Sequence, residues 1–111
     1  MTIDKWKTQL RKGAAELVVL ALLGRRPSSG VALLKRVEAF PAIGLSGGAL
    51  YPLLNRLERE GKIAGDWQPR EVGRPEKAYS LTEAGQTWLA AMQAERGQFD
   101  AALKQILEGD A

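Results

Sequence analysis

The chain has 111 residues, of which 45% are hydrophobic and 26% charged, and its net charge is +3. That length suits one domain and barely fills a core, so an apolar face left over is expected to meet a second copy. There is no cysteine and no histidine. The first absence excludes a disulfide frame and thiolate chemistry; the second removes the commonest general base and metal ligand.

No phosphate-loop, nucleophile-elbow or metal-ligand spacing is present, so an enzyme, a cofactor and a metal are not expected. No apolar run reaches the roughly 20 residues that span a bilayer. Residues 1–10 carry Asp4, Lys5 and Lys7 and do not read as a signal peptide, so a cytoplasmic protein without a membrane partner is expected. Residues 1–82 hold 14 Lys/Arg against 8 Asp/Glu, a balance of +6, whereas residues 83–111 hold 2 against 5, a balance of −3. A basic body with an acidic last segment suits a nucleic-acid binder whose tail does another job.

Residues 3–11 read as a short amphipathic helix with Ile3, Trp6 and Leu10 on one face, interrupted by Gly13. From 14 to 23 the chain is apolar nearly all round, as a helix in the middle of a core must be. Gly24 closes it, and Arg25, Arg26 and Pro27 turn the chain. Ser28 or Ser29 can cap the next helix, which is expected to bury Val31, Leu34 and Val37. Residues 40–45, with Pro41 and Gly44, form a connection. Ser46 then caps a helix whose Leu50, Leu53, Leu54 and Leu57 recur at helical spacing, and Gly61 ends it. Pro52 inside that helix predicts a distorted start.

After Gly61 the period changes. Residues 63–67 and 77–81 read as short strands joined by a basic tip over 68–76 that carries Pro69, Gly73 and Pro75. Thr82 caps a last helix expected to run from 83 to about 108. This order is that of a winged helix-turn-helix. The expected architecture is mainly α (α+β). Residues 1–82 form a winged helix-turn-helix DNA-binding domain with a two-stranded β-hairpin wing, residues 1–12 being an N-terminal helix that assists dimerisation. Residues 83–111 form a long C-terminal dimerisation helix.

Leu50-Tyr51-Pro52, followed by Leu54-Asn55-Arg56-Leu57-Glu58-Arg59-Glu60-Gly61, is the most specific motif in the chain. Gly73-Arg74-Pro75-Glu76-Lys77-Ala78-Tyr79-Ser80-Leu81-Thr82 follows it in the wing. Together these blocks resemble the PadR family of transcriptional regulators, in its compact branch with a single C-terminal helix. The resemblance implies a dimeric bacterial DNA-binding regulator, often a repressor, in some members released by a small molecule. It implies a phosphate contact through the Tyr51 hydroxyl. The chain departs from the family at Gly47 and Ala49, where larger polar residues and a threonine are more usual.

In a helix-turn-helix, the first turns of the reading helix enter the major groove. Here Ser46, Gly47, Gly48 and Tyr51 occupy those turns, with few side chains able to read bases. The two glycines let the backbone approach phosphate, and a helix N-terminus favours an anion. The balance therefore moves towards phosphate contacts and DNA shape. Asn55 and Arg56, one turn on, either reach the duplex or are simply solvated. Arg70, Arg74 and Lys77 form a basic wing suited to phosphate or a narrow minor groove, or else a solvated charged loop.

Trp88, Leu89, Met92, Phe99, Leu103 and Ile106 recur at spacings that make an apolar seam. Pairing with a second copy would bury it, with Ile3, Trp6 and Leu10 closing over it; folding back on its own domain is the alternative. Two copies would read a two-fold operator in double-stranded DNA. Trp6, Trp88 and Phe99 could also hold a small aromatic effector between subunits, or be plain interface core. The rival function is a winged-helix protein–protein assembly module without specific DNA binding, which the bare Gly47-Gly48-Ala49 stretch keeps open.

Overall fold

The computed structural model describes residues 2–109; Met1 and the last two positions of the 83–111 segment lie outside the described residues. The elements run α1 (Ile3–Arg25), β1 (Ser28–Ser29), α2 (Gly30–Glu38), α3 (Gly47–Arg59), β2 (Ile63–Gln68), β3 (Glu76–Leu81) and α4 (Glu83–Leu107). The three strands form one antiparallel sheet in the order β1-β3-β2. The winged helix and its long C-terminal helix are as expected, but the sheet has one strand more than the hairpin. Ser28 and Ser29 pair with Tyr79 and Ala78. A two-residue strand carries no periodicity by which a sequence could announce it.

The expected break at Gly13 does not occur, and α1 is one helix of 23 residues. A glycine inside a helix costs only about 1 kcal/mol relative to alanine. Thr2 caps the helix by accepting a hydrogen bond from the Lys5 amide at 3.3 Å, and the core holds its far end. Val19, Leu20 and Leu23 meet Leu33, Leu50, Leu54, Leu57, Ile63 and Tyr79 in a single cluster. Helix α2 buries Gly30, Leu33 and Val37, with Leu34 half-buried. Val31, expected inside, is 53% exposed, because Leu33 and Val37, four positions apart, share the inner face and Val31 lies away from it.

Helix α3 runs unbroken through Pro52. Proline removes the one amide that would have bonded to Gly48, and Gly48 is exposed, so its carbonyl can turn to water. The helix ends as expected at Gly61, whose φ is 78°. The Gly61 amide reaches back to the Glu58 carbonyl and the Lys62 amide to the Leu57 carbonyl, both at 3.0 Å, a paired closure that satisfies the last carbonyls.

Helix α4 starts on that closure. The Thr82 hydroxyl donates to the Gly61 carbonyl and accepts from the Gly85 amide, while the Thr82 amide donates to the Lys62 carbonyl at 3.1 Å. Beyond its first turns α4 leaves the body, and the longest dimension of the molecule is 58 Å.

A Cβ at Gly85 would run into the Lys62 carbonyl oxygen and the Leu81 side chain. Gly85→Ala is therefore expected to destabilise the protein by about 1–3 kcal/mol, as overpacking does. Gly13 has open space where its Cβ would stand. Gly13→Ala is expected to stabilise by about 0.5–1 kcal/mol. Urea unfolding of the two variants beside the parent checks both signs.

Candidate nucleic-acid interface

The start of α3 is held by Ser46, whose hydroxyl accepts from the Ala49 amide at 3.3 Å while its carbonyl accepts from Leu50 at 2.8 Å. Ser46, Gly48, Tyr51 and Asn55 are exposed, and Gly47 is half-buried. The glycines also do something the sequence reading assigned to none of them. A Cβ on Gly30 would lie 2.6 Å from Cε1 of Tyr51, and one on Gly47 would lie 3.6 Å from Cε2. Gly30 is thus a seat for the Tyr51 ring, with Gly47 beside it. The ring leans across from α3 onto the start of α2, and 40% of the residue is exposed.

Arg70 and Arg74 stand at the exposed tip of the wing, between paired Gln68 and Glu76, where Gly73 takes φ 93°. Neither belongs to an ion pair among the described residues. Lys77 is placed differently. Its ammonium lies 2.7 Å from Glu58 of α3 and 5.4 Å over the Tyr79 ring. The other Glu58 oxygen accepts from the Gly65 amide. Glu58 thus ties the base of the wing to the reading helix, and its hydrogen bond raises the Lys77 pKa against the opposing effect of desolvation.

Arg56 also turns inward. It donates to Glu16 of α1 at 2.7 Å and to Glu60 at 3.0 Å. Lys62 joins the same group, 3.2 Å from Glu60 and 3.5 Å from Glu16. The Trp88 indole N–H of α4 donates to Glu16, and the Lys62 ammonium lies 4.4 Å over the Trp88 ring. Burial pushes the Glu16 carboxyl up, but hydrogen bonds from Arg56 and Trp88 and the charges of Lys62 and Arg56 outweigh it, so its pKa lies below the ordinary 4.5. Glu16 was not singled out in the sequence, although it is the one charge between Lys12 and Arg25 in an apolar stretch. Arg36, which in the sequence reads as part of a solvated helix face or a source of long-range attraction, instead closes the end of α1 by donating to the Leu22 carbonyl and the Ser28 hydroxyl, each at 2.7 Å.

The apolar seam divides in two. Leu89 and Met92 are half-buried against the core of their own domain. Ile3, Trp6 and Leu10 on α1, and Phe99, Leu103 and Ile106 on α4, are exposed, and Trp88 is 43% exposed. Two open recesses of about 370 and 680 Å³ lie beside Arg36 and between α1, β3 and α4. Neither is lined by Trp6, Trp88 or Phe99. Among the described residues no helix is long and apolar enough to cross a membrane.

Residues 19–91 match the model of the transcriptional regulator PadR-like family. The chain belongs to that family. Its members are transcriptional regulators rather than enzymes, and this chain is one of them. It is similar to the crystal structure of a PadR-family regulator from Eggerthella lenta (31% identity, TM-score 0.86, 96% of this chain and 93% of that one). A PadR-like regulator from Bacillus cereus is 26% identical, with a TM-score of 0.82 over 91% of this chain and 98% of that one. Bacillus subtilis PadR, solved in complex with operator DNA, shares the fold at 23% identity (TM-score 0.64, 71% of this chain and 46% of that one). No curated protein sequence matches.

The family match takes in both motif blocks but begins at Val19, after Glu16, and ends at Ala91, before the exposed half of the seam. The PadR-like core therefore carries α3 and the wing, and the segments that flank it carry the exposed Ile3, Trp6, Leu10, Phe99, Leu103 and Ile106.

A carboxylate whose folded pKa is depressed contributes stability above its unfolded pKa and loses it as pH falls through the folded value. For Glu16 that contribution begins to fall as pH approaches the ordinary 4.5. The gap in thermal midpoint between the parent and Glu16→Gln is expected to be constant near neutral pH, then to close on acidification. A gap that stays open in acid would show that the charge on Glu16 does not contribute.

Proposed function

We propose that this PadR-like regulator is a homodimer that binds a two-fold operator in duplex DNA sequence-specifically and acts as a repressor, in the bacterial cytoplasm. The observation that carries the reading is the exposed start of α3, with Ser46, Gly48, Tyr51 and Asn55, beside a wing tip whose Arg70 and Arg74 have no ion-pair partner among the described residues. Unpaired arginines on a hairpin suit phosphate or a narrow minor groove. Gly47 and Gly48 bring the backbone close to the phosphates, and the Tyr51 hydroxyl supplies a further contact from a ring already seated. Lys77 and Arg56 act from behind, holding the wing and the reading helix in register through Glu58 and Glu16.

The exposed Ile3, Trp6, Leu10, Phe99, Leu103 and Ile106 support dimerisation. Burying a large apolar side chain is worth about 1.5–3 kcal/mol, so several of them together offset the entropy of association. A small aromatic effector would lie between subunits, against Trp6, Trp88 or Phe99, and release the DNA.

Fluorescence anisotropy against the DNA upstream of the chain's own gene and a shuffled fragment, at two salt concentrations, tests the reading. Tighter binding to the native fragment at both salts is expected; no binding at either would leave an assembly module. Arg74→Ala is expected to weaken binding at low salt and to flatten the salt dependence by about one counterion, with the dimer unchanged. Leu103→Asp places a charge in the seam, and sedimentation should find a monomer; a surviving dimer would put the interface elsewhere.

A further inference from the structure

The Glu16 carboxylate has two oxygens, and two different helices, α3 and α4, take one each. Oε1 accepts from Arg56 of α3 at 2.7 Å. Oε2 accepts from the indole N–H of Trp88 on α4, with Lys62 at 3.5 Å. Lys62 also covers the Trp88 ring and, through its carbonyl, receives the Thr82 amide at the start of α4. The side chain of Glu16 is 19% exposed and that of Arg56 39%, so these contacts are partly shielded from water. A carboxylate is rigid and planar, so a tilt of α4 that draws the indole away turns the plane and moves the oxygen that Arg56 holds. Arg56 lies one turn beyond Pro52 and directly follows Asn55.

We propose that Glu16 is a positioning residue that couples the tilt of the C-terminal helix to the seat of the reading helix, through the chain Trp88–Glu16–Arg56. What α4 binds, whether a second subunit or a small molecule, is then felt at the DNA face without touching it. The inference rests on the DNA-binding reading for its consequence but not for its geometry. It goes beyond a structural ion pair because the three partners belong to elements with different work: anchoring, reading and pairing. Coupling of this kind requires a shared element that both sites bias, and here the shared element is one side chain.

The test uses the whole chain labelled with 15N-tryptophan, the Trp88 indole signal being assigned by its loss in Trp88→Phe. Arg56→Lys is expected to shift the Trp88 indole resonance while those of Trp6 and Trp67 stay in place. An unmoved Trp88 signal overturns the coupling whether or not the chain binds DNA. In the second arm, Glu16→Gln is expected to lower the ratio of native to shuffled-fragment affinity about three- to tenfold, a part of what a lost charged hydrogen bond is worth. Loss of a negative charge alone would raise both affinities together and leave the ratio untouched. Glu16→Asp, which keeps the charge, is expected to recover part of the ratio, with the dimer intact by sedimentation. A parent ratio retained in Glu16→Gln overturns the proposal. If the parent itself binds neither fragment, the DNA reading falls and the indole arm alone decides the coupling.

Discussion

The placement of everything on the reading side depends on how α4 begins against the end of α3. The left-handed turn at Gly61 directs the Lys62 carbonyl outward. Thr82 binds that junction with both its amide and its hydroxyl, and only a residue without a Cβ fits the next contact, at Gly85. Since β2 leaves from the same turn, the wing, the reading helix and the long helix share one origin. An error of a few tenths of an ångström there would be carried along a helix of 25 residues.

Around this junction the protein uses charge where a core would use apolar volume. Removing one partner from a buried ion pair is strongly destabilising, although the intact pair adds little over a hydrophobic equivalent. The Glu16 group is only partly buried, so its yield in stability is modest and its yield in direction is larger. Hydrogen bonds from Arg56, Trp88 and Lys62 fix the angle between three elements in a way that leucines, which pack in many rotations, would not. Glu58 does the same for the wing, joining Lys77 and the Gly65 amide to α3.

Much of this was legible in the sequence. The caps at Ser29, Ser46 and Thr82, the leucine spacing of α3, the stop at Gly61 and the hairpin are local signals, and each sits where local chemistry puts it. The two errors of phase were also local in origin. Gly13 was read as a break because its neighbours could not show that the helix is anchored at both ends, and Val31 was read as buried because its spacing to Leu34 and Val37 fits a helix face as well as that of Leu33 to Val37 does. What stayed hidden was long-range. Glu16 meets partners 40 and 72 positions away, Gly30 earns its place from a tyrosine ring 21 residues on, and Ser28 finds its strand partner at Tyr79. Of the interface residues, Ser46, Gly48, Tyr51, Asn55, Arg70 and Arg74 were found on exposed ground, whereas Arg56 and Lys77 turn towards their own protein.

The carboxyls of Glu16 and Glu60 and the ammonium of Lys77 are each displaced away from neutrality. The hydrogen bond from Lys62, opposed by desolvation and supported by Arg56, takes Glu60 down as Glu16 is taken down, and Lys77 moves up. With no histidine in the chain, the side chain that ordinarily changes charge near neutral pH is missing. Glu16, Glu60 and Lys77 therefore keep their charges across neutral pH. The angle that Glu16 sets between its three elements is thus held alike at any pH near neutrality.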